Sequence, residues 1–106
     1  MLDACALFPR GLRAVLLGYA DAGGFAPLWS DRVAEEWARA AETRMGVAEA
    51  AAAWAAEARM RARWPEGRVT GWEPLEDAAG LPDPADAHVI AAARAGGADG
   101  IVTLNI

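Results

Sequence analysis

Five side chains, spread over more than a hundred residues, could share one piece of chemistry. They are Asp3, Glu36, Asp86, Thr103 and Asn105. Three carboxylates with a hydroxyl and an amide form an all-oxygen donor set. Such a set suits a hard divalent cation, Mg²⁺ or Mn²⁺. A cation held there can lower the pKa of an attacking water and neutralise charge on a phosphoryl group. The chemistry requires that residues far apart in sequence converge, so the elements that carry them decide the matter.

Asp3 follows a short apolar start, and MLDACA (1–6) reads as a buried strand ending near it. Leu12, Val15, Leu16 and Tyr19 recur at spacings of three and four, which predicts a helix over 10–22, stopped by Gly23-Gly24. FAPLW (25–29) is a second strand, weakened by Pro27. Ser30 is an N-cap for a helix over 31–44, and Gly46 separates that helix from another over 47–63. Residues 68–72 form a third strand, 75–84 a turn-rich loop. Asp83-Pro84 opens a helix over 86–95, and Gly100–Ile106 is a last buried strand. Alternation of this kind predicts an α/β domain, its mostly parallel sheet flanked by helices on both faces.

In open parallel sheets, ligands bind outside the carboxyl ends of the strands. Asp3, Thr103 and Asn105 sit at such ends. Glu36 lies early in the helix after the second strand, with Glu35 beside it as an alternative, and Asp86 opens the helix before the last strand. If the first and last strands are neighbours, the groups meet around one pocket, with Thr103 and Asn105 on its rim.

Composition narrows the field. A chain of 106 residues is one domain. Its 55% apolar content excludes intrinsic disorder. The net charge of −5 argues against coating nucleic acid by bulk charge. One cysteine excludes an internal disulfide framework and a multi-cysteine zinc site. There is no membrane span and no signal-peptide pattern, so a cytoplasmic protein with no membrane partner is expected. The last apolar strand stops at Ile106, so the C-terminal part of a complete domain is expected to be missing.

The opening LDACALFP, the segment PLWSDRVAEEW (27–37) and, most specifically, LPDPADAHVIAAARAGGADGIVTLN (81–105) resemble the PIN-domain family. These are metal-dependent nucleases that include the ribonuclease toxins of VapBC-type toxin–antitoxin pairs. The resemblance implies a three-layer α/β/α sandwich over 1–106 and Mg²⁺- or Mn²⁺-dependent endonucleolytic cleavage of RNA. It implies metal binding by Asp3, Glu36 and Asp86, with Thr103 orienting a carboxylate or water. Asn105 stands where many members carry a fourth acid. RNA is then the substrate and an antitoxin protein a possible partner. The alternative is a PIN-like scaffold that binds a protein without catalysis.

Other residues have plainer readings. His88, two positions from Asp86, is a structural or surface histidine, and Cys5 a small buried apolar residue. Arg59, Arg61, Arg63 and Arg68 form either a solvated face or a contact to a partner or RNA backbone. Arg10 and Arg13 could meet substrate phosphate. The tryptophans at 29, 37, 54, 64 and 72 are expected in the core or an interface. With the apolar C-terminal strand they predict a homodimer or larger assembly.

Overall fold

A computed structural model describes residues 1–78 and 84–103, with the side chains of 77–78 and 84–86 outside the description. In chain order it holds α1 (Ala4–Leu7), α2 (Arg10–Asp21), β1 (Trp29–Ser30), α3 (Asp31–Met45), α4 (Val47–Arg63), β2 (Arg68–Val69), α5 (Glu73–Ala78) and α6 (Pro84–Ala95).

The sheet is small and parallel. β1 pairs with β2 through Trp29↔Arg68 and Ser30↔Val69. The ladder continues sideways through Leu2, whose N–H donates to the Leu28 carbonyl at 2.7 Å. Leu2 in turn forms a parallel bridge with Val102. The Val102 N–H donates to Met1 and the Asp3 N–H to Val102, at 2.8 and 3.1 Å. The lateral order of the four segments is therefore third, second, first, fourth. The order reverses between the Leu2 segment and the Val102 segment. At such a switch point the connections on either side leave in opposite directions and open a crevice.

Two helix starts are capped by a side chain. Asp3 caps α1, its carboxylate accepting the Ala4 N–H. Ser30 caps α3, its Oγ accepting the Val33 N–H at 3.1 Å. Such a cap is worth about 1 kcal/mol. Gly46, at φ 101°, joins α3 to α4 in a conformation that L side chains rarely adopt. The α3–α4 hairpin packs through Ala34, Ala38 and Ala41 on one helix and Ala50, Ala53 and Ala56 on the other. Small residues at spacings of three and four let the helix axes approach closely. The larger core side chains are Leu2, Leu7, Trp29, Val33, Trp37 and Met60, all essentially inaccessible to water.

Several expected elements differ. Residues 4–6 are helix rather than strand, because Asp3 satisfies the first N–H of the turn and ends the extended segment. The strand expected over 25–29 falls at Trp29–Ser30. The segment expected to be loop from Leu75 is helical to Ala78, and Leu75 packs against the core. At the C-terminus the part of the expected strand among the described residues is a bridge at Val102, and residues 104–106 lie outside them. Trp29, Trp37 and Trp72 are core, whereas Trp54 is exposed and Trp64 half-buried.

Candidate active site

The crevice between the Leu2 and Val102 segments is where Asp3 sits. Extended backbone at φ −89°, ψ 158° ends the strand and turns its carboxylate into the cap of α1. Asp3 Oδ1 accepts the Ala4 N–H at 2.7 Å, and Oδ2 accepts the Thr103 hydroxyl at 3.0 Å. Thus two residues from opposite ends of the chain are joined side chain to side chain. Cys5 completes the group. Its Sγ lies 3.4 Å from Asp3 Oδ2 and 3.1 Å from Thr103 Oγ1. Cys5 is half-buried within a polar cluster, not the small buried apolar residue expected.

Glu36 stands six residues beyond the Ser30 cap, half-exposed on α3, while Glu35 faces solvent. Its partner is His88. The imidazole is fully buried, with Nε2 2.6 Å from Glu36 Oε1. Neither ring nitrogen makes an aligned hydrogen bond, so the contact is close but not a well-directed bond. The ring also lies against Trp72, centroids 6.0 Å apart, and the Trp72 indole N–H reaches Asp31 Oδ1 at 3.4 Å. His88 is therefore neither a surface residue nor merely core. It touches a sequence-predicted site acid. Buried polar atoms without directed partners are rare and call for a functional account.

The backbone of Asp86 lies in the first turn of α6, its side chain outside the description, and Asn105 lies outside the described residues. The structure thus joins Asp3 to Thr103 and Glu36 to His88. Among the described residues no group of three or more His, Cys, Asp or Glu comes together as a metal cluster. Asp3 nonetheless suits a hard cation. An ionised carboxylate offers about four acceptor sites, and its three partners leave capacity for one more. The exposed Thr103 hydroxyl beside it is likewise an oxygen donor.

The description PIN domain fits residues 1–106, the whole of the sequence. The chain belongs to the PIN-domain family. PIN domains are generally nucleases with an α/β fold, and as a group they use divalent metals. No curated protein and no solved structure matches the chain. In this PIN domain, none of the helices among the described residues is long and apolar enough to cross a membrane.

Sequence reasoning missed two features of this PIN domain. Cys5 touches Asp3 two positions away and Thr103 98 positions away, and His88 reaches Glu36 52 positions away; the two long separations carry no local pattern. Of the arginines singled out, Arg61 is engaged with Glu57, donating from Nε at 2.8 Å, and Arg68 is exposed in β2.

Proposed function

We propose that this PIN domain is a Mg²⁺- or Mn²⁺-dependent endoribonuclease, built as a three-layer α/β/α sandwich and acting in the cytoplasm. What carries the reading is the meeting of Asp3 and Thr103 at the reversal in strand order, in a family of nucleases. Asp3, Glu36 and Asp86 would hold the cation, with Asn105 as a neutral oxygen donor. The cation supplies charge neutralisation at the phosphoryl oxygens and a lowered water pKa. Thr103 fixes the rotamer of the Asp3 carboxylate through its hydroxyl, and the Ala4 N–H holds the other oxygen. The half-exposed Glu36 would turn from its contact with His88 toward the crevice. RNA is the substrate. The toxin role, an antitoxin partner and a homodimer belong to the same reading.

The test is cleavage of a labelled RNA by the purified chain with Mn²⁺. Products with 5′-phosphate and 3′-hydroxyl ends, and arrest by EDTA, are expected. The toxin reading adds that expression halts growth and that a cognate protein restores it.

A second reading is a PIN-like scaffold that binds a protein without catalysis. It is favoured by the engagement of Glu36 with His88. Absence of cleavage with either metal, in a folded chain, selects it.

A further inference from the structure

Four of the ten basic residues, apart in sequence, gather along one groove. Arg10 and Arg13 stand on α2, Arg59 and Arg63 on α4. Arg10 pairs with Glu49 at 3.6 Å, and Arg63 pairs with Asp21. These two exposed contacts, at opposite ends, show that α2 and α4 run side by side and parallel. Leu17 and the half-buried Trp64 line the groove with them.

The charge in the groove is not balanced. Arg13 is pressed toward deprotonation, first by partial burial and then by the neighbouring guanidinium groups of Arg10 and Arg59, which Glu49 only offsets. Arg59 is exposed. In a chain of net charge −5, a long polyanion is repelled except at such a local concentration of positive charge.

One groove arginine also touches the helix that Asp3 caps. Arg13 Nη1 donates to the Leu7 carbonyl at 3.0 Å, at the end of α1. The cap of that helix is Asp3, four residues away, or about 6 Å along a helix axis. A positively charged groove with an aromatic at its wall is the usual form of a site for single-stranded nucleic acid. Guanidinium groups suit phosphate oxygens bidentately.

We propose that the groove between α2 and α4 binds the sugar–phosphate backbone of single-stranded RNA, from Arg63 and Arg59 to Arg10 and Arg13, beside the helix that Asp3 caps. The proposal rests on the nuclease reading above for its substrate class. Arg59 and Arg10 supply the exchangeable phosphate contacts. Arg13 is held by Leu7 and by the Trp37 ring, 5.0 Å below it, and is a fixed positive charge in the groove.

The experiment measures binding of a fluorescein-labelled oligouridylate, about a dozen nucleotides long, by anisotropy. The full chain is used in EDTA, so that no cleavage occurs, across a KCl series. The variants are Arg10→Gln with Arg59→Gln, and Arg94→Gln on α6 as a charge control, with melting curves to establish folding. The double variant is expected to bind at least about tenfold more weakly. Its slope of log affinity against log salt should be shallower by about 1.4, since a single strand contributes about 0.7 per phosphate contact. Arg94→Gln should leave both unchanged. Unchanged affinity and slope in a folded double variant would overturn the proposal. So would an equal loss in Arg94→Gln, which would mean diffuse charge. Displacement of the RNA by polyglutamate at equal charge concentration would assign the groove to an acidic protein segment instead. The catalytic reading fails separately: Asp3→Asn would then cleave normally while the double variant still lost RNA.

Discussion

His88 Nε2 lies 2.6 Å from Glu36 Oε1, so a wholly buried imidazole on α6 backs a half-exposed acid on α3. The relationship ties the helix that carries Glu36 to the helix that begins beside Asp86. Partners standing behind a metal ligand set its orientation, and their loss typically costs 10- to 100-fold in metal affinity. His88→Ala should therefore raise the Mn²⁺ concentration needed for half-maximal cleavage by about tenfold or more, and lower stability by about 2 kcal/mol for the cavity. His88→Gln, which keeps a nitrogen donor of similar reach, should recover part of the metal response. An unaltered Mn²⁺ titration in a folded His88→Ala protein would show that the histidine only packs.

Asp3 has a structural duty as well as a place in the site. It accepts hydrogen bonds from Ala4, Thr103 and Cys5. Without metal, Asp3→Asn should lower stability by about 1 kcal/mol, the typical worth of one such bond. Relief of repulsion between site acids should not outweigh it, because among the described residues no second acid joins Asp3 and Cys5 in a cluster. Mn²⁺ at ten times its dissociation constant should then stabilise the wild type by about 1.4 kcal/mol through linkage. That is a melting shift of roughly 5 °C or more for a domain of this size. Thermal melts with Mn²⁺ and with EDTA check both points, and an equal Mn²⁺ shift in Asp3→Asn would place the cation elsewhere.

Glu57 is a buried carboxylate that lies outside the site. It accepts from Arg61 Nε at 2.8 Å and from the Trp29 indole at 3.4 Å. Arg61 is half-exposed and rehydrates readily, so most of the loss falls on the indole N–H. Glu57→Ala should cost about 2 kcal/mol. Glu57→Gln, which keeps an acceptor for Trp29, should cost about 1 kcal/mol. Urea unfolding of the two variants gives the comparison.

Gly67 tests the sheet directly. Its carbonyl accepts the Trp29 N–H at 2.9 Å, where β1 and β2 begin to pair. A Cβ at this position would overlap the Trp29 ring and lie 2.7 Å from the Pro27 carbonyl oxygen. Gly67→Ala should destabilise by about 1–3 kcal/mol, the usual range for overpacking. Denaturant midpoints of the two proteins give the value.

The long helices were legible because their signals are local. Periodicity placed 10–22, and cap and stop residues placed 31–44 and 47–63, within two residues of α2, α3 and α4, and Ser30 caps α3 as its residue type implies. The four-residue α1 is too short for any period to show, and its cap is the same Asp3 that ends a strand. Glu57 with Arg61 at i+4 reads as a surface pair, and only Trp29, 28 residues away, reveals that it is buried. Asp3 and Thr103 were legible as strand ends, and their meeting follows from strand order. The arginine groove was visible only as two unrelated clusters, because the placement of α2 beside α4 has no local sequence code.

The central claim is that Asp3 serves the chemistry of phosphodiester cleavage. The most direct measurement is the initial rate of Mn²⁺-dependent cleavage of a labelled RNA by the wild type, Asp3→Asn and Asp86→Asn, each purified identically and shown to be folded. The wild type should cleave and stop with EDTA, and each amide variant should be slower by about 10²-fold or more, the usual effect of removing one preorganised electrostatic group. Cleavage by Asp3→Asn at the wild-type rate would contradict the account.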